Sequence, residues 1–158
     1  MSIRPARLAD HASLCSLLAE VENLHAELLP LYFRRVTGKT FSRDALDRLL
    51  RVSDETVLVA DDDDGNVEGL VHVQLFETPA APSMVPGRRA HIENLVVAAA
   101  ARRHGVGSEL VSAARAWATR RGASEILLTV WRGNTAAELF YESLGFQRLS
   151  SVLALPVG

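Results

Sequence analysis

The stretch His91–Ser108 constrains this chain more than any other, because strand, glycine turn and helix start follow one another within eighteen residues. Its first part, through Leu95, Val96 and Val97, is apolar and strand-forming. Its second part, Arg102-Arg103-His104-Gly105-Val106-Gly107-Ser108, is a glycine-bearing turn that opens a helix near Val106. Gly105 and Gly107 permit positive φ and close backbone approach, so successive N–H groups can converge at the helix N-terminus. Such a point attracts an anion, helped by the helix dipole and by the guanidinium groups of Arg102 and Arg103. The spacing is neither a Walker loop, since no Gly-Lys-Ser/Thr follows, nor the dinucleotide fingerprint, which needs a third glycine and a later acid.

The rest of the chain sets that turn in a larger frame. After it, Val106, Leu110, Ala113, Ala114 and Trp117 keep one apolar face through a helix that stops near Gly122. Glu125 to Trp131 is nearly continuous in apolar, β-branched and aromatic residues, which suits a strand covered on both faces. Strand, helix and strand in this order predict a β-α-β crossover with two parallel strands. Gly133-Asn134 then caps a last helix reaching Leu144, closed by Gly145 and Phe146, and Phe146–Leu155 supplies a final strand.

Upstream, Ser2–Ala6 reads as a short strand, and Asp10 as the N-cap of a helix whose stripe is Leu14, Leu17, Leu18, Val21, Leu24 and Leu28, ended by Pro30. Ser42 opens a second helix to Arg51, with Leu46, Leu49 and Leu50 on one side. Thr56–Ala60 and Val67–Phe76 are β-rich, joined by an acidic turn over residues 61–66. Its four aspartates fail as a calcium loop: with Gly65 at the sixth position, Ala60 and Val71 stand where carboxylates are required. Residues 77–89 hold Pro79, Pro82, Pro86 and Gly87 and read as a long loop.

No repeat or linker divides the 158 residues, which are expected to form one domain, 1–158, of α/β (α+β) class: a mixed central sheet with helices on both faces. Seventeen basic and nineteen acidic side chains leave a net charge of −2, which argues against a nucleic-acid protein held by phosphates. Cys15, the one cysteine, sits among leucines and rules out an internal disulfide or a multi-cysteine zinc site; no metal is expected. No apolar run has the length of a membrane span, so no membrane partner and a cytoplasmic location are expected.

Three polar groups stand out chemically. Glu93 shares alternate strand positions with His91, Leu95 and Val97, a face otherwise built for a core, where a carboxylate must be paired, hydrated or raised in pKa toward the range of a base. Asn134 and Tyr141 are seven residues apart and so lie on one side of the last helix. Asn134 serves as its N-cap, and the Tyr141 hydroxyl needs a partner on an otherwise apolar helix. His25, Tyr32, Phe33 and His72, with Glu93, are candidates to wall an acceptor pocket.

Taken jointly, Leu95-Val96-Val97, Arg102-x-x-Gly105-x-Gly107, the strand to Trp131, and Asn134-x-x-Ala137-x-x-Phe140-Tyr141-x-x-x-Gly145-Phe146 resemble the GNAT superfamily of N-acetyltransferases, strongly over Ala90–Phe146. Ala98-Ala99-Ala100-Ala101 stands where that family often has proline and an acidic residue. The resemblance implies acetyl-coenzyme A as co-substrate. Amides from Arg103 to Ser108 would cradle its pyrophosphate, the edge Leu95–Val97 would pair with its pantetheine arm, Asn134 would contact it, and Tyr141 would lie beside its sulfur.

On that footing a neutral primary amine, of a small molecule or peptide, attacks the thioester directly. Tyr141 is the acid for the departing sulfur, Glu93 the base through water, and a backbone N–H near Val96 stabilises the oxyanion. The alternative is a non-catalytic acyl-coenzyme A binding or sensing module; the presence of Glu93 and Tyr141 favours the enzyme. Self-association is open: the final strand could pair with another subunit in a homodimer, and nothing in the sequence decides it.

Overall fold

The computed structural model describes residues 1–38 and 40–157. Five strands form one sheet in the order β1-β2-β3-β4-β5: β1 (Ser2–Pro5), β2 (Glu55–Asp61), β3 (Val67–Thr78), β4 (Gly87–Val97) and β5 (Ile126–Leu128). The first four pair antiparallel, and β5 joins β4 in parallel through Ala90–Ile126, His91–Leu127 and Ile92–Leu128. The parallel step requires a crossover, supplied by α3 (Val106–Arg120). The others are α1 (His11–Leu28) and α2 (Arg43–Leu50) before β2, and α4 (Thr135–Ser143) after β5.

The period-2 alternation of β2–β4 feeds two cores. On one face Leu58, Val71, Val73 and Ile92 pack under Val106, Leu110, Ala114 and Trp117 of α3. On the other, Val57, Val59, Leu70 and Val96 pack under Leu14 and Leu17 of α1 and Leu46 of α2. Gly69 sets how closely α3 sits: a Cβ there would lie 3.0 Å from Leu110 Cδ1 and 3.2 Å from Val106 Cγ1. Helices on both faces of a mixed sheet agree with the fold class read from the sequence.

Several boundaries differ from expectation. The loop expected over 77–89 shrinks to the residues between Thr78 and Gly87, because Glu77 and Arg88 pair across the ladder and their side chains form a 2.6 Å ion pair. Within it a tight turn bonds Met84 N–H to the Ala81 carbonyl at 3.0 Å. The strand expected from Glu125 to Trp131 pairs only over Ile126–Leu128, and as the sheet edge it is half-buried rather than covered on both faces. Beyond Phe146 the expected final strand pairs with nothing among the described residues.

Asp10 holds the N-cap position of α1, but its carboxylate turns back to the Arg7 N–H at 2.7 Å and to Arg4, leaving the helix amides uncapped by it. Leu24 of the expected stripe is exposed. The acidic turn closes on itself instead of opening to a cation, as Asp62 accepts from the Asp64 and Asn66 amides. No helix among the described residues is long and apolar enough to cross a membrane.

Candidate active site

The site begins where β4 and β5 part. Their pairing ends at Ile92–Leu128, yet β4 continues for five residues to Val97 while the chain after Leu128 turns toward Trp131 and Gly133. The edge of β4 from Glu93 to Val97 is left without a strand beside it on that side, so a slot opens along Leu95, Val96 and Val97.

A register shift in β4 stands at the head of this slot. Ile92 faces Val73 and Asn94 faces His72, which leaves Glu93 as the extra residue of a β-bulge. The shift overturns the expectation that His91, Glu93, Leu95 and Val97 share a face. Leu95 and Val97 join Ile92 on the α3 side, whereas Val96 packs with α1 and α2. Glu93 is paired instead with His91, whose Nδ1 lies 2.9 Å from its carboxylate.

The far end of the slot is the turn into α3. Arg103, at φ 68°, and Gly105, at φ 85°, adopt left-handed backbone that only glycine adopts freely, and together they reverse the chain. The first backbone bond inside α3 is Glu109 N–H to the Gly105 carbonyl at 3.1 Å, so the amides of Val106, Gly107 and Ser108 face outward unpaired. Gly107 is helical, and its role is contact: a Cβ there would stand 3.1 Å from Phe140 Cζ on α4.

The two arginines expected to act together are separated by the fold. Arg102 donates from Nε to the Val97 carbonyl at 2.9 Å and from Nη2 to Glu20 at 3.3 Å, tying the turn to the strand end and to α1. Arg103 and His104 are exposed and lack an ion-pair partner among the described residues.

Across the slot, α4 begins at Asn134, whose side-chain oxygen accepts from Ala137 N–H at 3.3 Å, as the N-cap reading requires. It ends in Gly145, at φ 89°, with Phe146 N–H bonded back to the Tyr141 carbonyl at 3.1 Å. The Tyr141 ring is held between Phe140 and Phe146, at centroid distances of 5.2 and 5.4 Å. Burial pushes its phenol up to about 12, so the hydroxyl keeps its proton throughout the neutral range.

The acceptor-side candidates divide into two groups. His25 stacks on Phe33 at 5.2 Å, and Phe33 meets Trp131 edge-on at 4.9 Å, so the end of α1 reaches over the segment that leaves β5. Burial lowers the His25 pKa and favours the neutral ring. Tyr32 is exposed and joins no ring contact among the described residues. His72 lies elsewhere, under α1 and α2, paired with Glu55 at 3.3 Å and lining, with Leu14, Phe41, Leu46 and Asn94, an apolar cavity of about 180 Å³.

Sequence reasoning missed Trp131 and Asn94. Both were hidden in strand-like runs where pairing, not residue type, decides that Trp131 meets Phe33 and that Asn94 lines the cavity beside His72.

Comparison with known proteins bears on the family and the fold. The family model described as acetyltransferase (GNAT) family matches residues 19–146. Aminoglycoside N(6')-acetyltransferase type 1 of Klebsiella aerogenes is 35% identical over 96 residues, which span 61% of this chain and 62% of that protein. The uncharacterized N-acetyltransferase YhfO of Bacillus subtilis (strain 168) is 29% identical over 93% of this chain and 90% of its own. Among solved structures, a mutant of the BH1408 protein from Bacillus halodurans superposes with a TM-score of 0.94 at 25% identity, over 99% of both chains.

Proposed function

The chain belongs to the acetyltransferase (GNAT) family, and from that premise we propose that it moves an acetyl group from acetyl-coenzyme A to a primary amine of a small molecule or peptide by direct attack. The observation that carries this reading is the parting of β4 and β5, which leaves the Glu93–Val97 edge of β4 open beside the unpaired first-turn amides of α3. Residues 1–158 are read as one domain serving that slot.

The residues present fit the co-substrate chemically. Amides from Arg103 to Ser108 are free donors at the positive end of a fifteen-residue helix, suited to a diphosphate. Arg103 and His104 flank them, and Arg102 fixes the turn. Leu95, Val96 and Val97 offer backbone groups to an extended amide-bearing arm, in the manner of an added strand. Asn134 caps α4 and borders the same slot. When bound, acetyl-coenzyme A supplies an activated acyl group and a thiolate leaving group.

The chain's own residues then do the rest. Glu93, held on the bulge by His91, accepts the proton shed by the attacking amine, through water. A backbone N–H near Val96, on the edge of β4 turned away from β3, would stabilise negative charge on the acyl oxygen. Tyr141 presents a protonated hydroxyl to the sulfur. His25, Phe33 and Tyr32 border the acceptor side, His72 the cavity below.

Thermal unfolding with acetyl-coenzyme A, coenzyme A and ATP tests the first half. A native-state ligand at a hundred times its Kd adds about 2.7 kcal/mol, roughly 5–10 °C in a chain of this size. Stabilisation by the two thioester-related ligands and not by ATP is expected. Thiol release across a panel of polyamines, amino acids, peptide N-termini and aminoglycosides tests the second half; binding without release for any amine favours a sensing module.

A further inference from the structure

Between α1, α2 and the sheet the packing leaves a cavity of about 180 Å³. Its floor is Leu14, Leu46, Val57 and Leu70, none more than 6% exposed, and its mouth lies among the half-buried Leu18, Phe41 and Leu49. Protein interiors pack as densely as organic crystals, and a void grows more costly with its volume, so a space of this size beside a core needs a reason. An apolar cavity of comparable size, about 150 Å³, holds one benzene ring. Phe41 is held in the wall: its carbonyl accepts from His11 Nε2 at 2.9 Å, and its ring meets the His11 ring edge-on at 5.1 Å. The cavity is therefore formed in advance of any ligand, which lowers the cost of binding one.

One side of the wall is polar. Val57, His72 and Asn94 stand opposite one another in register across β2, β3 and β4, so a single row of the sheet carries the cavity from apolar floor to polar rim. His72 Nε2 lies 3.3 Å from the Glu55 carboxylate, which leaves this rim anionic whenever the imidazole is neutral. The Asn94 carboxamide makes no hydrogen bond among the described residues, so its oxygen and its N–H groups are free for a ligand. Asn94 follows Glu93 directly, about 3.8 Å from Cα to Cα, at the head of the open edge of β4. The rim thus adjoins the edge along which the thioester would lie.

We propose that the acceptor is a monoamine on one compact apolar body, a single ring or a branched chain of about six carbons, with that body in the cavity and its nitrogen at the Asn94 rim beside Glu93. This deepens the acetyl-transfer reading above and rests on it. The nitrogen forms its bond to the acyl carbon as the carbon–sulfur bond breaks, its proton passes to Glu93 through water, and amide and thiol appear in equal amount. Further charges on the acceptor are disfavoured, because an ammonium or a hydroxyl-rich ring above a floor of leucine and valine leaves water without gaining a partner. A polyamine or an aminoglycoside would have to leave the cavity empty. Leu18 on α1 and Leu49 on α2 set the size of the body admitted, and Asn94 with the Glu55–His72 pair sets where the amine sits.

Thiol release at saturating acetyl-coenzyme A compares benzylamine and cyclohexylmethylamine with spermidine and an aminoglycoside, and methyl NMR with benzylamine alone follows the cavity without the thioester. Expected are ring-current shifts at the methyls of Leu14, Leu46 and Val57, and a kcat/KM for the two monoamines at least about tenfold above that of the polycations. Leu49→Trp should fill the mouth and raise the KM for benzylamine about tenfold while the Kd for coenzyme A stays unchanged. Leu18→Ala should shift the preference toward the larger naphthylmethylamine, a gain that misfolding does not produce. Thiol release from the polycations with the monoamines idle, or methyls that benzylamine leaves unmoved, overturns this proposal and spares acetyl transfer. A size preference that Leu18→Ala leaves unchanged does the same. Thiol release from no amine overturns acetyl transfer, and the acceptor role of the cavity with it.

Discussion

Gly107, on the first turn of α3, and Phe140, in the middle of α4, lie so close that a methyl group on the glycine would stand 3.1 Å from the ring Cζ and 3.7 Å from Val97 Cγ2. The helix whose amides face the slot and the helix that carries Tyr141 are therefore in contact through a missing side chain. The glycine does not serve unusual backbone, since its neighbour Gly105 makes the left-handed turn.

Gly107→Ala is expected to separate stability from cofactor binding. Alanine gains about 1 kcal/mol of helix propensity, which offsets a contact that the phenyl ring relieves by moving a few tenths of an ångström. The melting temperature should change by less than about 4 °C. The added methyl shifts α4 against the α3 turn beside the slot, and the KM for acetyl-coenzyme A should rise about tenfold with a smaller change in kcat, read by steady-state kinetics.

Glu93 sits on a bulge because two residues of β4 oppose one span of β3, between the His72–Asn94 and Val73–Ile92 pairs. Its carboxylate is oriented by His91. Glu93→Gln keeps that contact's shape and removes the proton acceptor, so turnover should fall about 10²-fold, most at low pH where the amine arrives protonated. His91→Gln should cost less, because it loosens the orientation and leaves the base. A pH–rate profile for Glu93→Gln that overlays the wild type would remove the residue from proton transfer.

This site was legible where short-range rules govern it. Gly105 and Gly107 marked the strand–helix turn, Asn134 the cap and Gly145 the stop of α4, each through backbone chemistry confined to a few residues. The face of Glu93 was not legible, because simple alternation assigns it with Leu95 and Val97, and a single bulge reverses every later side chain. The Phe146–Leu155 strand was misread for a related reason. Its apolar alternation is real, but a strand exists only with a neighbour, and among the described residues none lies beside it. Arg102 looked like half of an anion clamp; its bonds to Val97 and Glu20 come from elements far away along the chain.

Tyr141 donates best while protonated, and burial to about 12 widens that range relative to the free phenol. The proton donor should therefore impose no alkaline loss of kcat below about pH 10. Burial thus keeps the phenol protonated, as a donor to the departing sulfur must be. Tyr141→Phe should lower kcat by about 10–10²-fold with little change in the Kd for coenzyme A, measured by calorimetry. A descending limb near pH 9 that vanishes in Tyr141→Phe would show the phenol to be far more acidic than its burial allows.

Arg4 locks the start of the sheet to the start of α1. Its guanidinium meets Asp61 at 2.5 Å and Asp10 at 2.8 Å, and all three side chains are largely buried. The bond from Arg4 holds the Asp10 carboxyl below its usual value. Asp10 therefore contributes stability at pH values above about 3.9, where the unfolded carboxylate is already ionised, and that contribution is lost as pH falls through the lower folded value. Arg4→Met leaves two carboxylates without their cation and should cost about 3 kcal/mol at pH 7, roughly 6–12 °C in melting temperature. The gap between wild type and variant should narrow in melts run below pH 4, as protonation removes the charge Arg4 was neutralising. A gap that stays constant down to pH 2.5 would mean that Arg4 contributes through packing of its stem rather than through the ion pair.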